Sequence, residues 1–215
     1  MGDAEATGAV AQKKTRHAAE QERPDVAAAR REWRVRQPAL NPEKLVFIDE
    51  TWASTNLCRL YGRTPKGQRL IASVPHGHWH ITTFLGALRH DRITAPLVID
   101  GAINGELFRA YVEQMLAPTL SPDEIVMMDN LSSHKVKGVR EAIEARGASV
   151  AYLPPYSPDL NPIEMLFAKL KQFWRSAAAR TQQALWNIIG HSLRAVGPSE
   201  CANYLAHCGY LRSGR

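Results

Sequence analysis

The chain has 215 residues, 45% of them hydrophobic and 22% charged, a balance that excludes a wholly disordered chain, a collagen-like repeat and a disulfide scaffold and suits one compact domain with appendages. Lys and Arg outnumber Asp and Glu by 27 to 21, net +6, which points to a polyanionic partner and says nothing about fold. The excess is uneven: net +2 over residues 1–44, −2 over 45–164 and +6 over 165–215.

Residues 1–22 mix charge with Gly and Ala and show no persistent period, so a flexible lead-in is expected there, without the apolar core of a secretory signal. Pro24 opens a helix through Val35 that ends before Pro38. Leu45 to Ile48 is a short apolar run that stops at Asp49-Glu50 and reads as a strand covered on both faces. Arg59–Arg63 and Arg69–Val74, flanking the Pro-Gly turn at 64–68, read as a hairpin. Strands are expected at Ile81–Leu88 and around Pro96–Ile99. Asn104 then caps a helix whose apolar stripe is Phe108, Tyr111, Val112, Met115 and Leu116.

Ile125–Met128 is a buried strand ending at Asp129-Asn130. A polar helix from about His134 to Ala145, closed by Gly147, and a strand at Ser149–Leu153 follow. The prolines at 154, 155 and 158 force an extended connection. Asn161 as N-cap and Pro162 in the first turn start an amphipathic helix with Ile163, Leu166, Phe167, Leu170 and Trp174 inward and Glu164, Ala168, Lys171 and Arg175 on the other face. Phe173 is expected in the core beside Trp174. Residues 181–213 read as helical, interrupted at Gly197-Pro198. The expected organisation is a lead-in and linker helix (1–44), a catalytic domain (45–180) and a helical C-terminal extension (181–215). No apolar run approaches the roughly 18 residues of a membrane span, and Cys58, Cys201 and Cys208 form no paired motif, which fits a reducing cytoplasm.

Asp49 and Asp129 each follow a short apolar strand, and Glu164 sits in the first turn of a helix that follows another. Carboxylates placed so converge on one sheet edge when their strands are neighbours. Such a cluster suits hard divalent cations, and two ions about 4 Å apart can activate an attacking oxygen and stabilise a leaving one in phosphodiester cleavage. Taken singly, each acid has another reading: Asp49 and Asp129 as turn residues, Glu164 as half of a capping box with Asn161. His76, His78 and His80 would share one face of a strand and lack a fourth zinc ligand, so a surface near substrate is the preferred reading. Cys201, His207 and Cys208 read as helix-packing residues.

Phe47-Ile48-Asp49-Glu50-Thr51, Asp129-Asn130 with His134-Lys135, and Pro154-Pro155-Tyr156-Ser157-Pro158-Asp159-Leu160-Asn161-Pro162-Ile163-Glu164 resemble the mariner-type DDE transposases, and most nearly their bacterial insertion-sequence branch, the insertion sequence 630 group. The resemblance covers roughly residues 23–210, and the 34 residues between Asp129 and Glu164 match the family's spacing. It implies an α/β ribonuclease-H-like fold, a mixed sheet flanked by helices with a helical tail, and Asp49, Asp129 and Glu164 as ligands of Mg²⁺, with Mn²⁺ as substitute and two ions. The family's reaction is hydrolysis at transposon ends followed by attack of the freed 3′-hydroxyl on target DNA. Asn130 and His134 are then expected to orient metal-bound carboxylates or water, and Lys135, Lys169, Lys171 and Arg175 to contact DNA.

The implied partners are terminal inverted repeats and target DNA, and a homodimer, since two ends must be joined. Residues 1–44 are too short for the helix-turn-helix reader usual in the family, so the chain reads as a catalytic half, whether the second frame of a split element with a separately encoded reader, a gene fragment or a protein read from an internal start, in a bacterial cytoplasm and on the nucleoid when bound. A catalytically idle DNA-binding remnant, or a junction or RNA–DNA hybrid nuclease on the same fold, are the competing readings.

Overall fold

The computed structural model describes residues 18–211, so most of the expected lead-in and the last residues of the expected tail lie outside the described residues. Five strands form one mixed sheet: β1 (Leu45–Ser54), β2 (Ile81–Leu88), β3 (Ile93–Asp100), β4 (Ile125–Met128) and β5 (Ser149–Tyr152), in the order β3-β2-β1-β4-β5. The β1–β2 and β2–β3 pairs are antiparallel; the β1–β4 and β4–β5 pairs are parallel. Helices cover both faces: α1 (Pro24–Arg36), α2 (Gly105–Tyr111, continued by a wide π turn at Val112–Leu116), α3 (Val139–Glu144), α4 (Ile163–Ala177), α5 (Gln182–Leu193) and α6 (Pro198–His207).

The alternation of a strand divides the core in two. Phe47 and Ala53 of β1 pack with Trp33, Phe167, Trp174, Leu205 and Tyr210 on one face. Val46 and Ile48 pack with Phe108, Val112 and Ile143 on the other. Burial on both sides is why Leu45–Ile48 is uninterruptedly apolar. The expected mixed sheet flanked by helices, with a helical C-terminal region, is present. Among the described residues no helix is long and apolar enough to cross a membrane.

Several boundaries differ from expectation. β1 continues six residues past Ile48 because β2 pairs with it as far as Ser54–Ile81, while the β4 ladder ends at Phe47–Met127. The hairpin at 59–74 is not formed: residues 57–80 contain no helix or strand, and Leu60, Tyr61 and Ile71 are exposed. Two strands without a third strand or a helix to cover them are not stable in water, and β2 takes β3 as its partner instead. Arg180 holds the base of this insertion through the carbonyls of Thr55 (3.1 Å) and Leu57 (2.8 Å).

The helix expected from His134 is split into a 3₁₀ turn at Ser132–Lys135 and α3. Gly138 separates them at φ +100°, where a β-carbon would stand 2.7 Å from Arg109 Nε, so the break is built in. Asn104 caps α2 as expected, accepting from the Leu107 N–H at 2.9 Å. Trp174 is fully buried and donates to Ser192 Oγ at 3.0 Å. Phe173, expected beside it, is 44% exposed, since one residue further round α4 is 100° away from the buried stripe.

Trp33, Leu185, Ile189, Tyr204, Leu205 and Tyr210, which lie outside 45–180, share the core of β1 and α4. Each large side chain so buried stabilises by about 1.5–3 kcal/mol. A 45–180 fragment is therefore expected to unfold at a markedly lower urea concentration than the full chain, or to fail to fold; an equal midpoint in a circular-dichroism titration would contradict this packing.

Candidate active site

Asp49 lies two residues beyond the last β1–β4 ladder pair, and Asp129 directly follows β4. Adjacent parallel strands bring their carboxyl ends to the same edge, so the two acids face one space. The Pro-rich connection after β5 delivers Glu164 to that edge in the first turn of α4. All three line a cavity of about 620 Å³ together with Asn130, Lys135, Tyr156 and Asn161. The expected triad thus converges, although Asp49 is a mid-strand residue rather than a strand terminator.

The three carboxyls are shifted in different directions. Burial, then the negative charge of Asp129, pushes Asp49 up to about 8, with Glu50 and Glu164 adding to the rise against a 2.8 Å bond from the Glu50 N–H. Glu164 is raised by burial, a rise that Lys171 opposes and Asp129 reinforces. Burial acts on Asp129 as well, but His134 and the Leu131 N–H (3.0 Å) outweigh it and hold this acid below the ordinary range.

His134 is fully buried, stacked on Phe108 with ring centroids 4.3 Å apart. Its Nε2 lies 2.8 Å from Glu50 Oε2, and its Nδ1 lies 2.6 Å from Asp129 Oδ1, out of line for a straight hydrogen bond. Burial lowers the pKa of this imidazole, yet the two carboxylates prevail and raise it to about 9. Asp49, Glu50 and His134 have donor atoms within 4.8 Å of one another. With a carboxylate against each nitrogen, however, the ring serves as a buried cation that fixes Asp129.

Asn161 was expected as a helix cap and is not one. α4 begins at Ile163 without a side-chain cap, so the capping-box reading of Glu164 is not formed either. The Asn161 amide turns inward and donates to Asp49 Oδ2 at 2.9 Å, while its Oδ1 is buried without a partner. An unpaired buried acceptor beside crowded carboxyls, in a site of oxygen donors, fits a hard divalent cation such as Mg²⁺ or Mn²⁺.

Other expected residues are placed as follows. Asn130 lines the cavity and donates to the Leu153 carbonyl at 2.9 Å, tying the exit of β4 to that of β5. Lys135 lines the cavity with its Nζ 5.2 Å from the centre of the Tyr152 ring. Lys171 stands beside Glu164, its pKa lowered by burial. Arg175 faces a separate groove. Lys169 turns away to Glu200 (2.5 Å) and the Ala195 carbonyl (3.3 Å), fastening α4 to α6. His76, His78 and His80 are exposed and join no such ligand cluster among the described residues.

Sequence reasoning gave no role to Glu50, to the inward side chain of Asn161 or to the brace of the Pro-rich connection, although all three fall in or beside the motifs. Arg30, from α1, binds Ser157 Oγ (2.7 Å) and both oxygens of Asp159 (2.8 and 2.7 Å). Tyr210 donates to the Leu160 carbonyl at 2.8 Å and accepts from Trp33.

A family model for DDE superfamily endonucleases matches residues 44–186. The chain belongs to the DDE endonuclease superfamily. Among solved structures, this DDE endonuclease chain is similar to the Mos1 strand transfer complex (TM-score 0.71, 16% identity, 95% of this chain and 63% of that one). It is also similar to the mariner Mos1 paired end complex with Mg (TM-score 0.73, 17% identity, 93% and 64%) and to the catalytic domain of Mos1 mariner transposase (TM-score 0.64, 14% identity, 92% of each). At these identities the likeness establishes the ribonuclease-H-like fold. The chain spans less than two thirds of the Mos1 chain in the strand transfer complex. No curated protein matches it.

The charge states set a pH dependence. A carboxyl whose folded-state pKa lies above its ordinary 3.8 gives stability that is present at low pH and lost as pH rises toward about 8. In EDTA, Asp49→Asn is expected to raise Tm by several degrees at the alkaline end of that window and to have little effect at the acid end. Thermal melts across pH check this; a uniform effect would contradict it. His134→Ala leaves Glu50 and Asp129 without their shared cation and is expected to destabilise by about 3 kcal/mol, read from urea unfolding.

Proposed function

We propose that this chain is the catalytic domain of a transposase of the insertion sequence 630 group, an Mg²⁺-dependent endonuclease and strand transferase acting at the terminal inverted repeats of its element. The reading is carried by the convergence of Asp49, Asp129 and Glu164, from β1, the end of β4 and α4, on one cavity. These three residues would hold the metal, a pair of Mg²⁺ ions or Mn²⁺ in their place. When bound, the ions supply Lewis-acid chemistry to the attacking and leaving oxygens of an in-line phosphodiester displacement.

The chain's own residues do the positioning. Asn161 fixes the Asp49 carboxyl through its amide N–H. His134, braced by Glu50, keeps Asp129 ionised and aimed. Lys135 on the cavity wall and Lys171 beside Glu164 would neutralise substrate phosphates. No covalent enzyme intermediate is required, so rate comes from orientation and charge stabilisation.

Support for DNA as partner comes from Mos1, whose related structures are complexes of paired transposon ends and of strand transfer. Because two transposon ends must be joined, the working form would be a homodimer acting on terminal repeats and target DNA. A helix-turn-helix segment or a separately encoded protein would read the repeats, in the cytoplasm and on the nucleoid when bound.

The test is nicking of a duplex that carries the element's terminal repeat. Cleavage is expected with Mg²⁺ or Mn²⁺ and not in EDTA. Asp129→Asn is expected to lower it on the order of 10³-fold or more, and Asn161→Ala about 10–100-fold. Equal nicking by the Asp129→Asn protein would sink the triad assignment, and no metal-dependent nicking by the wild type would favour an idle remnant.

A further inference from the structure

The connection that delivers Asn161 and Glu164 to the cavity does not hold its own shape. Tyr156 sits at φ +54°, in the left-handed region that a bulky side chain seldom adopts, and such a conformation persists only where the surroundings impose it. Here they impose it from the other end of the chain. Gln21 Nε2 donates to the Tyr156 carbonyl at 2.6 Å. Arg30, buried on α1, donates to Ser157 Oγ and forks onto both oxygens of Asp159. The Ser157 hydroxyl passes that grip to the Pro155 carbonyl at 3.0 Å, and Trp33 reaches the Leu160 carbonyl through the Tyr210 hydroxyl. Residues 155–160 are thus gripped at five positions, and Asn161 follows at once.

The Arg30 side chain is nine-tenths buried and that of Asp159 only about half covered. A buried ion pair is a weak source of net stability, because lost hydration offsets the attraction. What the planar guanidinium does supply is orientation, since its fork admits a carboxylate in one geometry that a lysine cannot reproduce. Arg30, Trp33 and Tyr210 all lie outside residues 44–186, the span of the family model. We infer that Arg30 is a positioning residue for the active site. By holding Ser157 and Asp159 it fixes the strained connection, and through it the Asn161 amide against Asp49 and Glu164 at the head of α4. The geometry of the acidic cavity therefore depends on a helix outside the catalytic unit proper. The consequence for metal rests on the reading of the triad as a metal site; the hold on the connection does not.

The test needs neither DNA nor cleavage. Mn²⁺ binding to the full chain is followed by the electron paramagnetic resonance of the free ion, and amide hydrogen exchange is read over residues 154–165, both where circular dichroism shows the folded state. Arg30→Ala is expected to weaken Mn²⁺ binding about 10–100-fold and to speed exchange in the connection. Arg30→Lys, which keeps the charge and loses the fork, should restore only part of the affinity. Asp159→Asn, on the half-exposed partner, should act in the same direction, and decides the matter if Arg30→Ala does not fold. Combined with Arg30→Ala it should cost little more than Arg30→Ala alone. Glu124→Gln serves as the control for destabilisation by itself. It disturbs the buried Arg89–Glu124 pair just before β4, at the end of that strand opposite Asp129, and is expected to lower Tm while leaving Mn²⁺ affinity and exchange in the connection unchanged. Unchanged exchange or unchanged Mn²⁺ affinity in the Arg30 and Asp159 variants, or an equal fall in Glu124→Gln, overturns the inference. A wild type that binds no Mn²⁺ overturns the metal reading, and faster exchange in Arg30→Ala than in Glu124→Gln then still upholds the hold on the connection.

Discussion

Carboxyl groups gathered around one half-buried cavity repel one another and lose hydration, and the rest of this structure is organised around holding them there. The free energy for that comes from elsewhere, from a sheet packed on both faces. Parallel pairing of β1 and β4 fixes two of the acids in register, and the proline-stiffened connection with α4 fixes the third. His134 and Asn161 then divide the burden, a buried cation for Asp129 and a neutral amide donor for Asp49. The result is a site in which burial and mutual repulsion raise Asp49 and Glu164 while His134 holds Asp129 low, so a divalent cation binding there would displace protons and bind more tightly as pH rises.

Much of this arrangement is legible in the chain. The apolar runs at 45–48 and 125–128 mark the strands because burial on both faces leaves no polar positions. Asp49, Asp129 and Glu164 stand out because the first two close apolar runs, the third falls in the first turn of a helix, and the spacing of the last two is one a known family shares. The missed features are those decided by distant partners. An Asn-Pro pair before an apolar run reads as a helix start, and only Asp49, 112 residues away, turns the Asn161 amide inward. Asp-Glu reads as the end of a strand, and only the length of β2 carries β1 past it.

The same limit governs the lysines of α4. Lys169 and Lys171 are two residues apart and indistinguishable by composition, yet two residues turn the helix by about 200°. One therefore closes on Glu200 of α6 and the other stands beside Glu164. The apolar residues of the 57–80 insertion fooled pattern reading in the opposite way. They flank a Pro-Gly turn as hairpin strands would, but among the described residues no third element covers them, so local pattern alone could not decide their fate.

The brace on the Pro-rich connection bears on the order of folding. Arg30 reaches across 129 residues to Asp159, and Trp33 across 177 to Tyr210, whose hydroxyl in turn holds the Leu160 carbonyl. Such distant closures form late, because the entropy of bringing the ends together is lost before the contacts reward it. During synthesis, the segments that carry Asp49 and Asp129 leave the ribosome before Tyr210 does. The connection that carries Asn161 and Glu164 is clamped only afterwards, so a half-made chain holds its acids without the clamp that sets their geometry.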